Sequence, residues 1–123
     1  MTDRELLELA AKAAGYGDVW SLDEHPDVTY IGPRYDGGTV RYRVWNPLTN
    51  DGDALRLAVK LRLELRFLDM DHTIGPPRVT FHNVAGLVEL IGTDPYAAPR
   101  RAIVRAAAEI GKAHSAASVG RNT

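Results

Sequence analysis

At Leu61 the hydrophobic period of this chain changes abruptly. Ala54, Leu57, Ala58 and Leu61 recur at helical spacing, and Arg62-Leu63-Glu64-Leu65-Arg66-Phe67 then alternates strictly between apolar and charged residues. A period near 3.6 and a period of 2 require different backbones, so a helix must pass into a strand within a residue or two of Leu61. The strand is expected to turn Leu63, Leu65 and Phe67 to the core and Arg62, Glu64 and Arg66 outward. Upstream, Asn50 with Asp53 three positions on reads as the cap of that helix, and Asn46-Pro47 stops whatever strand precedes it.

The remaining elements follow from the same signals. Thr2-Asp3-Arg4-Glu5 has the spacing of a capping box, Leu6, Leu9, Ala10 and Ala13 form a helical face, and Gly15 is placed to end a helix over residues 3–14. Tyr16 to Pro26 reads as an ordered loop anchored by Val19, Trp20 and Leu22. Val28-Thr29-Tyr30-Ile31 and Thr39 to Trp45 are β-branched and aromatic runs joined through Asp36-Gly37-Gly38, a hairpin pattern in which Val40, Tyr42 and Val44 face the core while Arg41, Arg43 and Trp45 face solvent. Gly75-Pro76-Pro77 turns the chain into Arg78-Val79-Thr80-Phe81-His82, an antiparallel partner for the strand at Leu63. Val84 to Ile91 fits a short strand, with helical spacing as its competitor. Asp94-Pro95 opens a last helix with Ile103, Ala106, Ala107 and Ile110 inside and Arg101, Arg105, Glu109 and Lys112 outside. Ser115 to Thr123 is small and polar and is expected to be disordered. The order is not the βαβ alternation of a parallel sheet. It predicts one α+β domain over 1–114: a mainly antiparallel sheet of four to five strands packed with about three helices, an α/β sandwich.

Composition narrows the chemistry. With no cysteine in 123 residues, disulfide scaffolds, thiol catalysis and cysteine-ligated metals are excluded. The chain is 45% hydrophobic and 25% charged, a globular balance. No run approaches eighteen apolar residues, and Met1-Thr2-Asp3-Arg4-Glu5 has no basic and apolar leader, so a soluble protein of the cytoplasm is expected, with no membrane partner. The net charge of −1 hides a gradient: residues 1–27 carry two basic and seven acidic side chains, residues 96–123 five and one. Such asymmetry can guide association with a charged partner or a second copy, while the balanced total argues against general affinity for polyphosphate.

Two constellations contain functional atoms. Asp69, Asp71, His72 and His82 carry metal-ligating groups that a turn could bring together with His25. No helix-spaced histidine pair supports them, solvated turn residues explain them as well, and no metal or other cofactor is expected. Arg34, Tyr35, Arg41, Tyr42, Arg43 and Trp45 interleave cations with rings, as binders of single-stranded nucleic acid do. Alternation turns Tyr42 away from Arg41 and Arg43, which weakens that pattern, so Arg41, Arg43 and Trp45 are retained as a candidate interaction surface. Asn50-Asp51-Gly52-Asp53 lacks the spacing and closing glutamate of a calcium loop, neither Ser21 nor Ser115 has a histidine-acid arrangement in sequence that singles out a nucleophile, and no catalytic residue is assigned.

Two segments carry a resemblance. Trp45-Asn46-Pro47-Leu48-Thr49-Asn50-Asp51-Gly52-Asp53-Ala54-Leu55-Arg56-Leu57-Ala58-Val59-Lys60-Leu61, taken with Asp94-Pro95-Tyr96-Ala97-Ala98-Pro99-Arg100-Arg101-Ala102-Ile103-Val104-Arg105-Ala106-Ala107, resembles small bacteriophage and prophage proteins of the NinX-like and phage ABA-sandwich kind. The resemblance implies a sheet with helices packed on it and no transferable catalytic residues. It leads to the expectation of a phage or prophage accessory protein inside the bacterial host cell, acting by contact with a host or defence protein or another phage protein, with self-association open. A nucleic-acid-binding module using Arg41, Arg43 and Trp45 is the alternative.

Overall fold

Helix α1 (Asp3–Ala14) starts where the Thr2 hydroxyl accepts the Glu5 amide at 3.1 Å. It stops at Gly15, whose φ of 76° lets the Tyr16 amide reach back to the Ala11 carbonyl at 2.9 Å. The computed structural model describes residues 1–32, 42–68 and 75–115, and the helical course of 116–121. Asp36-Gly37-Gly38, Arg34, Tyr35 and Val40 therefore lie outside the described residues.

Strands β1 (Val19–Leu22) and β2 (His25–Ile31) make a hairpin across Asp23 and Glu24, where the sequence predicts a loop. Trp20 opposite Tyr30 supplies the cross-strand aromatic pair that holds so short a ladder. The predicted antiparallel pairing of β2 with the Trp45 segment is present, but its strand β3 is only Arg43–Val44, with Tyr30 opposite Val44. Pro47 cannot donate to a ladder, and the chain leaves the sheet at Asn46. Helix α2 (Asp51–Lys60) follows, capped by the Asn50 side chain on the Asp53 amide at 2.8 Å, with Ala54, Leu57 and Ala58 buried as the stripe requires.

The passage from helix to strand falls where the period changes. Arg62 takes φ 55° and the Leu63 amide bonds back to the Ala58 carbonyl at 2.9 Å, a left-handed helix stop made without glycine. Strands β4 (Leu65–Leu68), β5 (Arg78–Phe81) and β6 (Val88–Leu90) then form an antiparallel sheet. The chain is thus α+β, with three helices and two three-stranded antiparallel sheets among the described residues rather than one sheet of four to five strands. A β3 of two residues, followed by the Asn46-Pro47 break, offers too short an edge for β4 to continue the first sheet.

Helix α3 (Ala97–Arg121) runs through Ser115, where a disordered tail is expected. Once a helix is nucleated each further residue adds a bond, and the alanines beyond Lys112 are good helix formers. Its predicted stripe is buried at Ile103, Ala106 and Ala107, but so are Ala98, Ala102, Val104 and Ala108. A helix buried so widely needs cover on several sides, and α3 packs against α1, α2, β5 and β6. The opposite charges of the chain's two ends meet across this packing, where Arg101 bonds Asp3 at 3.1 Å.

Alternation in β4 has the predicted parity and a different outcome. Val79 and Phe81 are buried, and Leu63 and Leu65 pack on the core, but Phe67 is 63% exposed. Phe67 stands opposite Val79, on the core side of its sheet. β4 is an edge strand, and α3 packs chiefly on β5 and β6 instead. Truncation to alanine should therefore separate the two phenylalanines: about 3–5 kcal/mol lost for Phe81→Ala, under about 1 kcal/mol for the exposed Phe67→Ala, both read from urea melts.

Gly111 packs on the Leu9 backbone, so an added Cβ would overlap the Leu9 carbonyl oxygen and sit 2.9 Å from its carbon. Glycine to alanine inside a helix ordinarily stabilises by about 0.5–1 kcal/mol. Here the sign should reverse, with Gly111→Ala costing about 1–3 kcal/mol as the helices are forced apart; a raised melting temperature would refute the close approach.

Candidate functional site

Trp45 is 1% exposed, which corrects its place in the expected interaction surface. The parity of the strand is as expected, with Arg43 and Trp45 on one side and Tyr42 and Val44 on the other. The assignment of inside and outside fails for three residues, with Trp45 turned in and Tyr42 and Val44 exposed at 45% and 59%, while Arg43 is exposed as expected. Side chains alternate with a period of two, so Trp45 going in puts Tyr42 and Val44 on the outer face, and Arg43 reaches solvent from the inner side at the strand's end. The larger apolar area decides the face: the Trp45 ring packs edge-on to Tyr16 at 5.8 Å, and its backbone is held by two bonds to Thr29.

Arg43 is exposed beside Tyr16, its guanidinium carbon 5.4 Å from the ring centroid. Arg41 lies outside the described residues, as do Asp69, Asp71 and His72. His82 is exposed at the end of β5 and His25 is exposed at the start of β2, in the other sheet. Among the described residues no three histidines or carboxylates gather where a metal ion could sit.

Among the described residues, two further surfaces that the sequence did not single out carry aromatic or apolar side chains. The outer face of the first sheet carries Trp20, Tyr30 and Tyr42, with Trp20 stacked on Tyr30 at 4.7 Å and Tyr42 edge-on to both. These rings cover one another, and the hairpin bearing them is edged by exposed Asp18, Asp23, Glu24 and Asp27, which repel phosphate.

The second surface is an apolar groove of about 410 Å³ between α2, β4 and the start of α3. Ala54, Leu55 and Ala58 form one wall, Leu65 and Phe67 the other, and Tyr96, Pro99 and Ile103 the floor. Leu55 and Tyr96 are each 64% exposed. A depression of about 490 Å³ between α1 and β1 is larger, but its lining is mainly charged, with Glu5, Glu8 and Asp18 around Lys12, and no chemistry converges there. The groove is the better site because large apolar side chains left in solvent mark contact surfaces.

Polar bonds hold the groove walls. The Arg100 guanidinium donates to the Leu48 carbonyl at 2.9 Å and to Asp51 at 2.7 Å, tying α3 to the entry of α2. That hydrogen bond to Asp51 pushes Arg100 above the usual arginine value despite some burial, so it stays charged throughout. Buried Asp53 accepts the Asn46 amide at 2.9 Å and the Arg56 guanidinium at 2.7 Å, fixing α2 against the Asn46-Pro47 break.

No family model matches the chain, and neither curated proteins nor solved structures give a match.

Asp53→Ala should lower stability by about 1–3 kcal/mol, because it strips the Asn46 amide of its acceptor. Glu8→Ala, which breaks an exposed pair with Arg4, should cost under about 1 kcal/mol in the same denaturant titration.

Proposed function

We propose that this chain is a non-enzymatic protein-binding module whose partner docks in the groove between α2, β4 and α3. The observation that carries the reading is the convergence of Leu55, Phe67 and Tyr96, each close to two-thirds exposed, on one apolar groove. Large side chains of this kind, seated in a concave patch, supply most of the affinity at protein interfaces. The resemblance of the α2 and α3 segments to phage accessory proteins supports a host or defence protein as that partner, met inside the bacterial cell.

The competing nucleic-acid reading needs cations and rings on one open face. Trp45 is buried, Arg43 lies over Tyr16, and the hairpin that bears Trp20 and Tyr30 is edged by exposed carboxylates. Nothing in that arrangement favours phosphate.

Affinity capture from bacterial lysate with the wild-type chain and with Leu55→Glu tests the proposal. A stoichiometric protein held by the wild type and lost by the variant is expected, with the melting temperature unchanged because Leu55 is exposed. Binding of labelled oligonucleotides at low salt, falling by about 0.9 log units per log unit of salt for each phosphate contacted on duplex, would overturn it.

A further inference from the structure

The wall of the groove formed by β4 is an open strand edge. The His82 amide donates to the Glu64 carbonyl at 2.9 Å, so Glu64, Arg66 and Leu68 direct their backbone groups toward β5. Leu65 and Phe67, the residues between, direct theirs away from the sheet. Neither has a hydrogen-bond partner for those groups among the described residues. Two of the other edges are blunted by arginine: Arg4 donates to the Val19 carbonyl of β1 at 3.0 Å, and Arg105 to the outward-facing Val88 carbonyl of β6 at 3.0 Å. An uncovered edge beside exposed apolar side chains is a template for another strand.

We infer that the partner enters as an extended peptide segment that adds a fourth strand to β4, laying alternate apolar side chains into the groove. This rests on the protein-binding reading and specifies the shape and chemistry of what binds. Leu65 and Phe67 need donors and acceptors that only an extended backbone presents at their spacing. Partner residues opposite Leu65 and Phe67 then share their face and meet Ala54, Leu55 and Tyr96. The partner residue opposite Arg66 falls on the other face, where Arg66 is exposed and makes no ion pair among the described residues. A carboxylate at that position complements it. A second copy of this chain fits less well. The register that pairs Leu65 with Phe67 of the other copy sets Arg66 against Arg66, and like charges directly opposite oppose pairing.

The test uses random decapeptides displayed on their encoding mRNA, selected on the wild-type chain and counter-selected on Phe67→Pro. That substitution removes the ring and the outward amide, and Phe67→Ala removes the ring alone. Enriched peptides should alternate apolar residues with polar ones and carry Asp or Glu at a position between apolar ones. A synthetic peptide of the enriched sequence should slow hydrogen exchange at the Leu65 and Phe67 amides. Methylating two alternate backbone nitrogens of that peptide should weaken its binding about tenfold or more, because the edge bonds are lost. The methylation arm uses only wild-type protein, so the result stands if Phe67→Pro fails to fold.

Three results overturn the inference. Peptides with apolar residues at helical spacing, indifferent to N-methylation, would place a helix in the groove and leave the protein-binding reading intact. A dimer in sedimentation that dissociates with Phe67→Pro would assign the edge to a second copy. Absence of any enrichment over Phe67→Pro would remove strand addition. The protein-binding reading fails separately, if Leu55→Glu leaves capture from lysate unchanged.

Discussion

The close approach of α1 and α3 at Gly111 and Leu9 is the constraint on which the rest of the structure depends. Small residues bring the two helices together: Ala10, Ala11 and Ala14 are buried on α1, and Ala102, Ala106, Ala107 and Ala108 on α3. Each alanine buries little area, so the energy of this contact comes from dense packing rather than large side chains. With α1 on it, α3 becomes the shared support for α2, β5 and β6. The first sheet joins the same core through Val19, Ile31, buried Thr29 and Trp45.

From that position α3 packs chiefly on β5 and β6 and much less on β4. The inner side of β4 at Phe67 is left uncovered, and α2 stands across the gap, held to α3 by Arg100. The groove is therefore a by-product of cover, created where one helix is asked to cap three strands and caps two. The left-handed turn at Arg62 redirects the chain from α2 into β4, the two elements that wall the groove. An arginine in that conformation carries a steric penalty that glycine would avoid, and the surrounding bonds of Leu63 and Arg62 to α2 hold it there.

Charge has a smaller part than the gradient along the chain suggests. Acidic residues near the N-terminus and basic residues near the C-terminus meet within the molecule, at Asp3 with Arg101, and Arg105 engages Glu89 of β6 at 2.6 Å. Such partly exposed pairs contribute modestly to stability. They also lower the charge available to a partner, which is one reason the apolar groove, rather than the gradient, carries the functional reading.

Local chemistry determined much of the fold from sequence alone. The Thr2 and Asn50 caps, the Gly15 stop, the break at Asn46-Pro47 and the change of period at Leu61 each act over a few residues, and each stands where the residues place it. Parity along the strands was legible for the same reason, since alternation is a property of the extended backbone. Which parity faces inward was not. Trp45 turned in and Val44 out, and Phe67 kept its inward side without gaining a cover, because those outcomes depend on what lies on each face. The division into two sheets, the reach of α3 and the groove itself also came from the tertiary structure. Burial is decided by neighbours distant in sequence, and a periodic pattern specifies a face without specifying the element that will cover it.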